Sequence, residues 1–283
     1  MITGITKNKV DAIWQKMWEG GITNPLDVIS NLTYLMFMRS LDEKELEIER
    51  IETMLGVEQP HVFPKAFIND HNEKIAGKEM RWHSFKDKPA EDMYRIVDRF
   101  VFPFIKTLSD SSAFSKAMEN ATFGFPAGKP TLLERAVTGV DELLSDFDDN
   151  IGDLGDLYEY MLSKLSTAGK NGQFRTPKHI RDMMVKIVNP KPSELICDPA
   201  CGTAGFLISS AEHIRNKYEK QMDTSDWDCF SGADVANPQF TGFEIDQTML
   251  RISAMNLMLH GVDSPDVRYL DSISQKNQAP SQY

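Results

Sequence analysis

The chain has 283 residues, 41% of them hydrophobic and 26% charged, with a formal net charge of -11. That is the composition of a soluble globular protein of about two domains. No run approaches the roughly 18 apolar residues of a membrane helix, and Met1 to Val10 has no apolar signal core, so a cytoplasmic protein is expected. Residues 1–150 carry 18 basic and 25 acidic side chains, and the rest carry 13 and 17, so neither half is basic. A protein that holds nucleic acid by itself usually presents a basic face, because phosphate neutralisation supplies most non-specific affinity. If nucleic acid is the substrate, another subunit should supply much of the grip.

The first half reads as helix. Val10, Ile13, Trp14 and Met17 share one face, and Gly20-Gly21 ends it. Asn24 is a cap and Pro25 a first helical residue for the next helix, whose Leu26, Ile29, Leu32, Leu35, Met36 and Phe37 are apolar over much of the circumference. Its continuation, Asp42 to Glu52, is densely charged and is expected to be solvated. Glu58 to Pro89 lacks sustained periodicity and reads as a long excursion with short elements only. His61, His71 and His83 there have no carboxylate or cysteine at a recognisable ligand spacing and are expected to be structural or surface residues. Met93, Ile96, Val97, Phe100, Val101 and Phe104 form another stripe, broken by Pro103, and Leu132, Leu133, Ala136, Val140 and Leu143 a shorter one. No strand alternation of any length precedes residue 150. Asp146 to Asn150 reads as a boundary between a helical domain, residues 1–150, and a second domain, residues 151–283.

A last helix, through Leu154, Leu157, Tyr158, Met161 and Leu165, leads into the small-polar loop Ser166 to Gly172. Thr176 is the expected N-cap and Pro177 the first residue of a helix whose face is Ile180, Met183, Met184, Ile187 and Val188. Leu195-Ile196-Cys197-Asp198 then reads as a strand ending in a carboxylate, Pro199 to Gly205 as a tight loop, and Phe206, Leu207, Ala211 and Ile214 as a helix face. Asn216 to Pro238 is polar and acidic and is treated as an insertion. Phe240 to Asp246 alternates and ends in carboxylates. The next helix, through Leu250, Ala254, Leu257 and Met258, stops at Gly261 as at a C′ glycine. Val267 to Asp271 is a third strand. Three strands ending in Asp198, Glu244 and Asp271, with helices between them, describe half of a doubly wound sheet.

Such a sheet binds ligands at the carboxyl ends of its strands. Gly202 and Gly205 would let a backbone approach a ligand closely. Neither the phosphate loop G-x-x-x-x-G-K-[ST] nor the dinucleotide fingerprint G-x-G-x-x-G is present. A carboxylate at the end of the second strand suits ribose hydroxyls, and acidic loops suit a positively charged, phosphate-free nucleoside. S-adenosylmethionine, with its sulfonium and ammonium groups, fits that description. The three cysteines are unpatterned, and Cys197, Cys201 and His213 match no zinc spacing, so no metal is expected.

Gly172-Gln173-Phe174-Arg175-Thr176-Pro177, Asp198-Pro199-Ala200-Cys201-Gly202-Thr203-Ala204-Gly205-Phe206-Leu207 and Gly242-Phe243-Glu244-Ile245-Asp246 resemble, in order, the opening motifs of adenine-N6 DNA methyltransferases. The nearest likeness is to the modification (M) subunit of type I restriction-modification systems, whose helical N-terminal domain resembles residues 1–150. The resemblance implies an α/β protein: a helical N-terminal domain, then a partial doubly wound, Rossmann-like, S-adenosylmethionine-dependent methyltransferase domain. It implies that Gln173, Phe174, Arg175, Thr176, Pro177 and Lys178 wrap the methionine end of the cofactor. Thr203, Ala204 and Gly205 would place backbone groups against it with Asp198 nearby, Glu244 would take the ribose hydroxyls, and Asp271 would lie near the adenine amino group. Implied partners are a specificity subunit, a second M subunit, a restriction subunit and duplex DNA through the complex.

The family's catalytic element is Asn-Pro-Pro-Phe or a close variant after the fourth strand, and the sequence ends at Tyr283 before it would appear. Asn237-Pro238-Gln239-Phe240 precedes Glu244 and lacks the second proline, so it is not a substitute. The expectation is an N-terminal piece of an M subunit, or a short gene product, with no catalytic residue of its own; it would bind cofactor without methylating DNA. A non-catalytic assembly module is the alternative, and methylation of protein glutamine or RNA a more distant one.

Overall fold

The structure, a computed structural model, describes residues 4–108, 113–145, 157–164, 176–192, 194–218, 239–262 and 265–274. The chain forms two compact units, one of residues 1–108 and 122–148, the other of residues 109–121 and 149–283. The domain boundary read from the sequence, 146–150, and the polar loop 166–172 lie outside the described residues.

The first unit is helical. Helix α1 (Gly4–Glu19) packs on α7 (Pro130–Leu144), where Gly139 lets the two backbones close; a Cβ there would come within 2.7 Å of Ile13 Cγ1. Helix α2 (Pro25–Leu55) opens as expected. Asn24 Oδ1 accepts the Leu26 N–H at 3.1 Å, and Pro25 takes the first helical position, where its missing N–H leaves nothing unsatisfied. Every residue from Val28 to Met38 is buried, which the all-round apolar pattern demands.

The second half of α2 corrects the expectation of a solvated face. Asp42 and Glu45 are buried, at 3% and 4% exposure. They anchor the excursion that follows, with the strands β1 (Ala66–Ile68) and β2 (Lys74–Ala76) and the short helix α3 (Trp82–Phe85). Arg81 Nε donates to Asp42 Oδ1 at 2.6 Å, and the His83 N–H donates to Asp42 Oδ2 at 2.9 Å. Glu45 Oε2 accepts the Val62 N–H at 2.7 Å, and its Oε1 lies 2.9 Å from His61 Nδ1. Burial raises the Asp42 carboxyl, but the His83 N–H, the Arg81 guanidinium and the His83 ring outweigh it and hold it below its ordinary value. The two strands form a three-residue antiparallel hairpin, a departure from the strand-free expectation for this half.

The stripe broken by Pro103 is one continuous run: α4 (Ala90–Ile96), a π turn at Val97–Val101 and α5 (Phe102–Thr107). Pro103 has no N–H for the Arg99 carbonyl, and Asn69 Nδ2 takes that carbonyl at 3.1 Å instead.

The second unit begins with a segment the sequence reading left without an element. Helix α6 (Ala113–Met118) packs against α11 (Gln247–Leu259) and β5 (Asp266–Tyr269), burying Ala117 and Met118. Residues 157–164 form α8, which buries Leu157, Tyr158, Met161 and Leu162. Strands β3 (Ile196–Asp198), β4 (Phe240–Glu244) and β5 lie parallel in the order β3-β4-β5, with Asp198 opposite Gly242 and Glu244 opposite Tyr269. Helix α10 (Gly205–Tyr218) connects out of β3, and α11 joins β4 to β5. Asp246 caps α11 through the Thr248 and Met249 N–H groups. Gly261, at φ +77°, closes it: its N–H bonds Met258 O and the Val262 N–H bonds Leu257 O, a Schellman motif.

Helix α9 (Lys178–Val188) differs from expectation in two respects. Pro177 rather than Thr176 occupies the cap position, and no side chain caps the helix. Most of its expected apolar face points outward, with Met183 51%, Ile187 75% and Val188 77% exposed, while Arg181 is 2% and Val185 6% exposed. The inward face meets α10 through polar pairs: Ser209 Oγ donates to Asp182 Oδ1 at 2.9 Å, and Lys178 Nζ to Glu212 Oε2 at 2.7 Å. Among the described residues no helix is long and apolar enough to cross a membrane.

Candidate functional site

The parallel register brings the carboxyl ends of β3 and β4 side by side, and the loop between β3 and α10 folds over them. Two backbone positions of that loop are left-handed, Gly202 at φ +54° and Ala204 at φ +62°. For alanine this conformation costs about 1 kcal/mol or more and persists only where surroundings impose it. Those surroundings are visible. Ala204 is fully buried and its N–H bonds Cys201 O at 2.7 Å; Asn256 Nδ2, from inside α11, donates to Thr203 O at 2.7 Å.

The loop is also bound to β4. The Cys201 N–H donates to Phe243 O at 3.0 Å, and the Gly202 N–H to Glu244 Oε2 at 3.0 Å. Gly242 permits the approach, since a Cβ there would lie 2.9 Å from Cys201 Sγ and 3.1 Å from its Cβ. Over Gly202, by contrast, a Cβ would meet none of the described residues within 4 Å, so among them this turn of backbone faces open space.

Glu244 is held by the chain itself: its Oε1 accepts the Ile245 and Asp246 N–H groups at 2.8 and 2.9 Å, and Oε2 the Gly202 N–H. Three of its roughly four lone-pair directions are occupied. A pair of ligand hydroxyls would therefore share Oε2 with the Gly202 N–H or displace it. Asp198 Oδ1 accepts the Ala200 N–H at 3.1 Å. Burial pushes the Asp198 carboxyl above its ordinary value and the neighbouring Glu244 charge adds to this, while the Ala200 N–H opposes it. Burial, with Asp198 and Glu244 beside it, likewise raises the Cys201 thiol, which keeps it protonated and unreactive.

The other residues read from the sequence take distinct places. Thr203 and Ala204 form the turn, and Gly205 starts α10. The Thr176 carbonyl accepts from Arg181 Nη1 at 3.0 Å, and Pro177 begins α9. The Lys178 ammonium lies on Glu212, with Asp182 4.0 Å away, on the seam between α9 and α10. Asp271 is exposed, two residues beyond β5, and closes a turn by accepting the Ile273 N–H at 3.1 Å. It follows Leu270, whose N–H bonds Glu244 O, so the chain runs on beside the site. Gln173, Phe174 and Arg175 lie outside the described residues.

Two buried polar residues, Arg181 and Asn256, escaped the sequence reading, and a third, His260, is expected from the sequence to be structural. Ser253, Asn256 and His260 recur at helical spacing along the buried face of α11 and its C-cap, and a polar stripe on a core face was the signal available. His260 Nδ1 lies 2.7 Å from Asn256 O, and burial lowers its pKa despite Glu212 and Glu159 nearby.

The fold and motif order define a Rossmann-like methyltransferase domain preceded by a helical domain. Residues 149–282 match the N-6 DNA methylase family model, and residues 6–140 match that of the HsdM N-terminal domain. The chain thus carries the two domains in order, each model covering just under half of it, and the relatives it matches include type I restriction enzyme methylase subunits. It is 26% identical over 260 residues to the type I restriction enzyme EcoEI methylase subunit of Escherichia coli, covering 87% of this chain and 47% of that protein. It is 25% identical over 285 residues to the MjaVIII methylase subunit of Methanocaldococcus jannaschii, covering 94% and 44%. The fold matches a chain solved in a study of type I restriction-modification complex assembly, with a TM-score of 0.63, 21% identity and coverage of 94% and 51%. It also matches a type I methyltransferase subunit from Streptococcus thermophilus, with a TM-score of 0.59, 15% identity and coverage of 98% and 60%. The chain spans about half the length of the curated relatives it matches.

Proposed function

We propose that the second unit binds S-adenosylmethionine at the carboxyl ends of β3 and β4, and that the parent protein transfers its methyl group to N6 of adenine in duplex DNA. In that reading it works with a specificity subunit and a second M subunit, and with a restriction subunit in the full complex. The observation that carries the reading is the pairing of the open backbone at Gly202 with the Glu244 carboxylate beneath it. The residues fit the cofactor's chemistry. Asp198 and Glu244 supply negative charge for a cationic ligand, Glu244 retains acceptor capacity for ribose hydroxyls, and Thr203 to Gly205 offer backbone rather than side-chain bulk.

Bound there, the cofactor supplies a methyl group on a sulfonium. Gln173 to Lys178 would enclose its methionine end, with Lys178 as the described member that contacts α10, through Glu212, and Asp271 would approach the adenine. The 283 residues contain no Asn-Pro-Pro-aromatic run to hold the acceptor base. These residues alone are expected to bind the donor without methylating DNA. Calorimetry with S-adenosylmethionine on wild type and Glu244→Ala tests the site. An affinity loss of about tenfold or more is expected from removing charge-assisted hydrogen bonds, and equal affinities would remove Glu244 from the site.

A further inference from the structure

The buried guanidinium of Arg181 joins two parts of the candidate site that are far apart in the chain. It is 2% exposed. Nη1 donates to the Thr176 carbonyl at 3.0 Å, and Nη2 lies 3.1 Å from Glu159 Oε2 of α8. Its plane lies against Gly205: a Cβ there would fall 2.6 Å from Nη1, 2.8 Å from Cζ and 3.0 Å from Nε. Gly205 is thus occupied on its Cβ side by protein, whereas Gly202 faces open space among the described residues. The two glycines of the loop serve different purposes, one admitting Arg181 and the other leaving room for a ligand.

Burying a guanidinium is costly unless its donors and charge are satisfied. Arg181 is only partly compensated. Nε has no hydrogen-bond partner among the described residues, and Nη2 has an ion-pair partner without hydrogen-bond geometry. A side chain kept there for stability alone would be better replaced by an apolar one, because α9 already meets α10 through the Asp182 and Lys178 pairs. What Arg181 does that an apolar side chain could not is fix the Thr176 carbonyl relative to the first residue of α10.

Resting on the cofactor reading above, we propose that Arg181 is a positioning residue: it ties the Thr176–Lys178 wall to the Gly202–Gly205 wall, so that both engage the same S-adenosylmethionine. Arg181 touches neither the cofactor nor the reacting atoms in this scheme and acts through the Thr176 backbone. The Glu159 carboxylate sets the orientation of the guanidinium from behind.

The test is amide hydrogen exchange of the full 283-residue chain with and without saturating S-adenosylmethionine, together with calorimetry, on wild type, Arg181→Gln and Gly205→Ala. Gly205→Ala pushes the guanidinium away while leaving it present, and it carries the comparison if Arg181→Gln does not fold. In wild type the cofactor is expected to protect amides in both 178–182 and 202–208. In either variant it should protect only 202–208, with affinity reduced about tenfold or more, the loss typical of a broken charge-assisted hydrogen bond. Wild-type protection confined to 202–208 overturns the proposal, as does a variant that keeps wild-type affinity and protection in both segments. Parallel loss in both segments also overturns it, since that marks a structural residue. A wild type with no protection and no binding heat refutes the cofactor reading itself, and this proposal falls with it.

Discussion

Gly242→Ala tests whether the loop over β4 is built on close approach. The added methyl would stand 2.9 Å from Cys201 Sγ, 3.1 Å from Cys201 Cβ and 3.3 Å from Leu207 Cδ1. None of these neighbours can rotate away cheaply. Cys201 is 5% exposed with its N–H tied to Phe243 O, and Leu207 is 1% exposed in the first turn of α10. Overpacking of this kind costs about 1–3 kcal/mol. Native-state hydrogen exchange of peptides spanning 196–207 and 240–244 should therefore quicken by about 5- to 150-fold under conditions where opening precedes exchange. Cys201→Ala, which removes the sulfur at the tightest contact, should recover part of the loss. In a double-mutant cycle the pair should cost less than the sum of the single changes by about 0.5–2 kcal/mol. Unchanged exchange in Gly242→Ala, or strict additivity with Cys201→Ala, would refute the packing argument.

Two further expectations concern pH. Burial and the Glu244 charge raise the Asp198 carboxyl, so the stability contributed by its protonated form is present below its ordinary value of 3.8 and lost as pH rises through the folded value. Asp198→Asn, uncharged throughout, should raise the thermal midpoint at neutral pH and lose that advantage near pH 3, while binding S-adenosylmethionine more weakly; an equal shift at both pH values would count against it. Asp42 has the opposite sign. Its folded value is depressed, so its contribution is present above 3.8 and lost as pH falls through the lower folded value. An acid titration by circular dichroism should show Asp42→Asn already destabilised at neutral pH and flatter than wild type below about pH 4; parallel curves would refute the role given to the Arg81 and His83 contacts.

The sequence by itself determined whatever local stereochemistry decides. Asn24-Pro25 starts α2 and Gly261 ends α11 because caps and left-handed positions depend on a few adjacent residues. The apolar run from Val28 to Met38 specified a central helix, and the strand-end acids Asp198 and Glu244 stood out because a strand, a turn and a helix follow one another within about a dozen residues. The family motifs lay in the same short stretches.

Tertiary structure decided where long-range partners meet. Asp42 and Glu45 sit in a charged run that looks solvated, and only the return of Val62, Arg81 and His83 shows that they are buried anchors. Helix α9 inverted its expected face because Asp182 and Lys178 find Ser209 and Glu212 on α10, while Ile187 and Val188 remain outside. Ala204 is held left-handed by Asn256, 53 residues beyond the Thr203 carbonyl that it grips. The Asp198–Gly205 loop was legible as a tight strand-to-helix turn from its composition. That Gly202 faces open space among the described residues while Gly205 is filled by Arg181 depends on the direction of each missing Cβ, and a direction in space exists only once the helices and strands have packed.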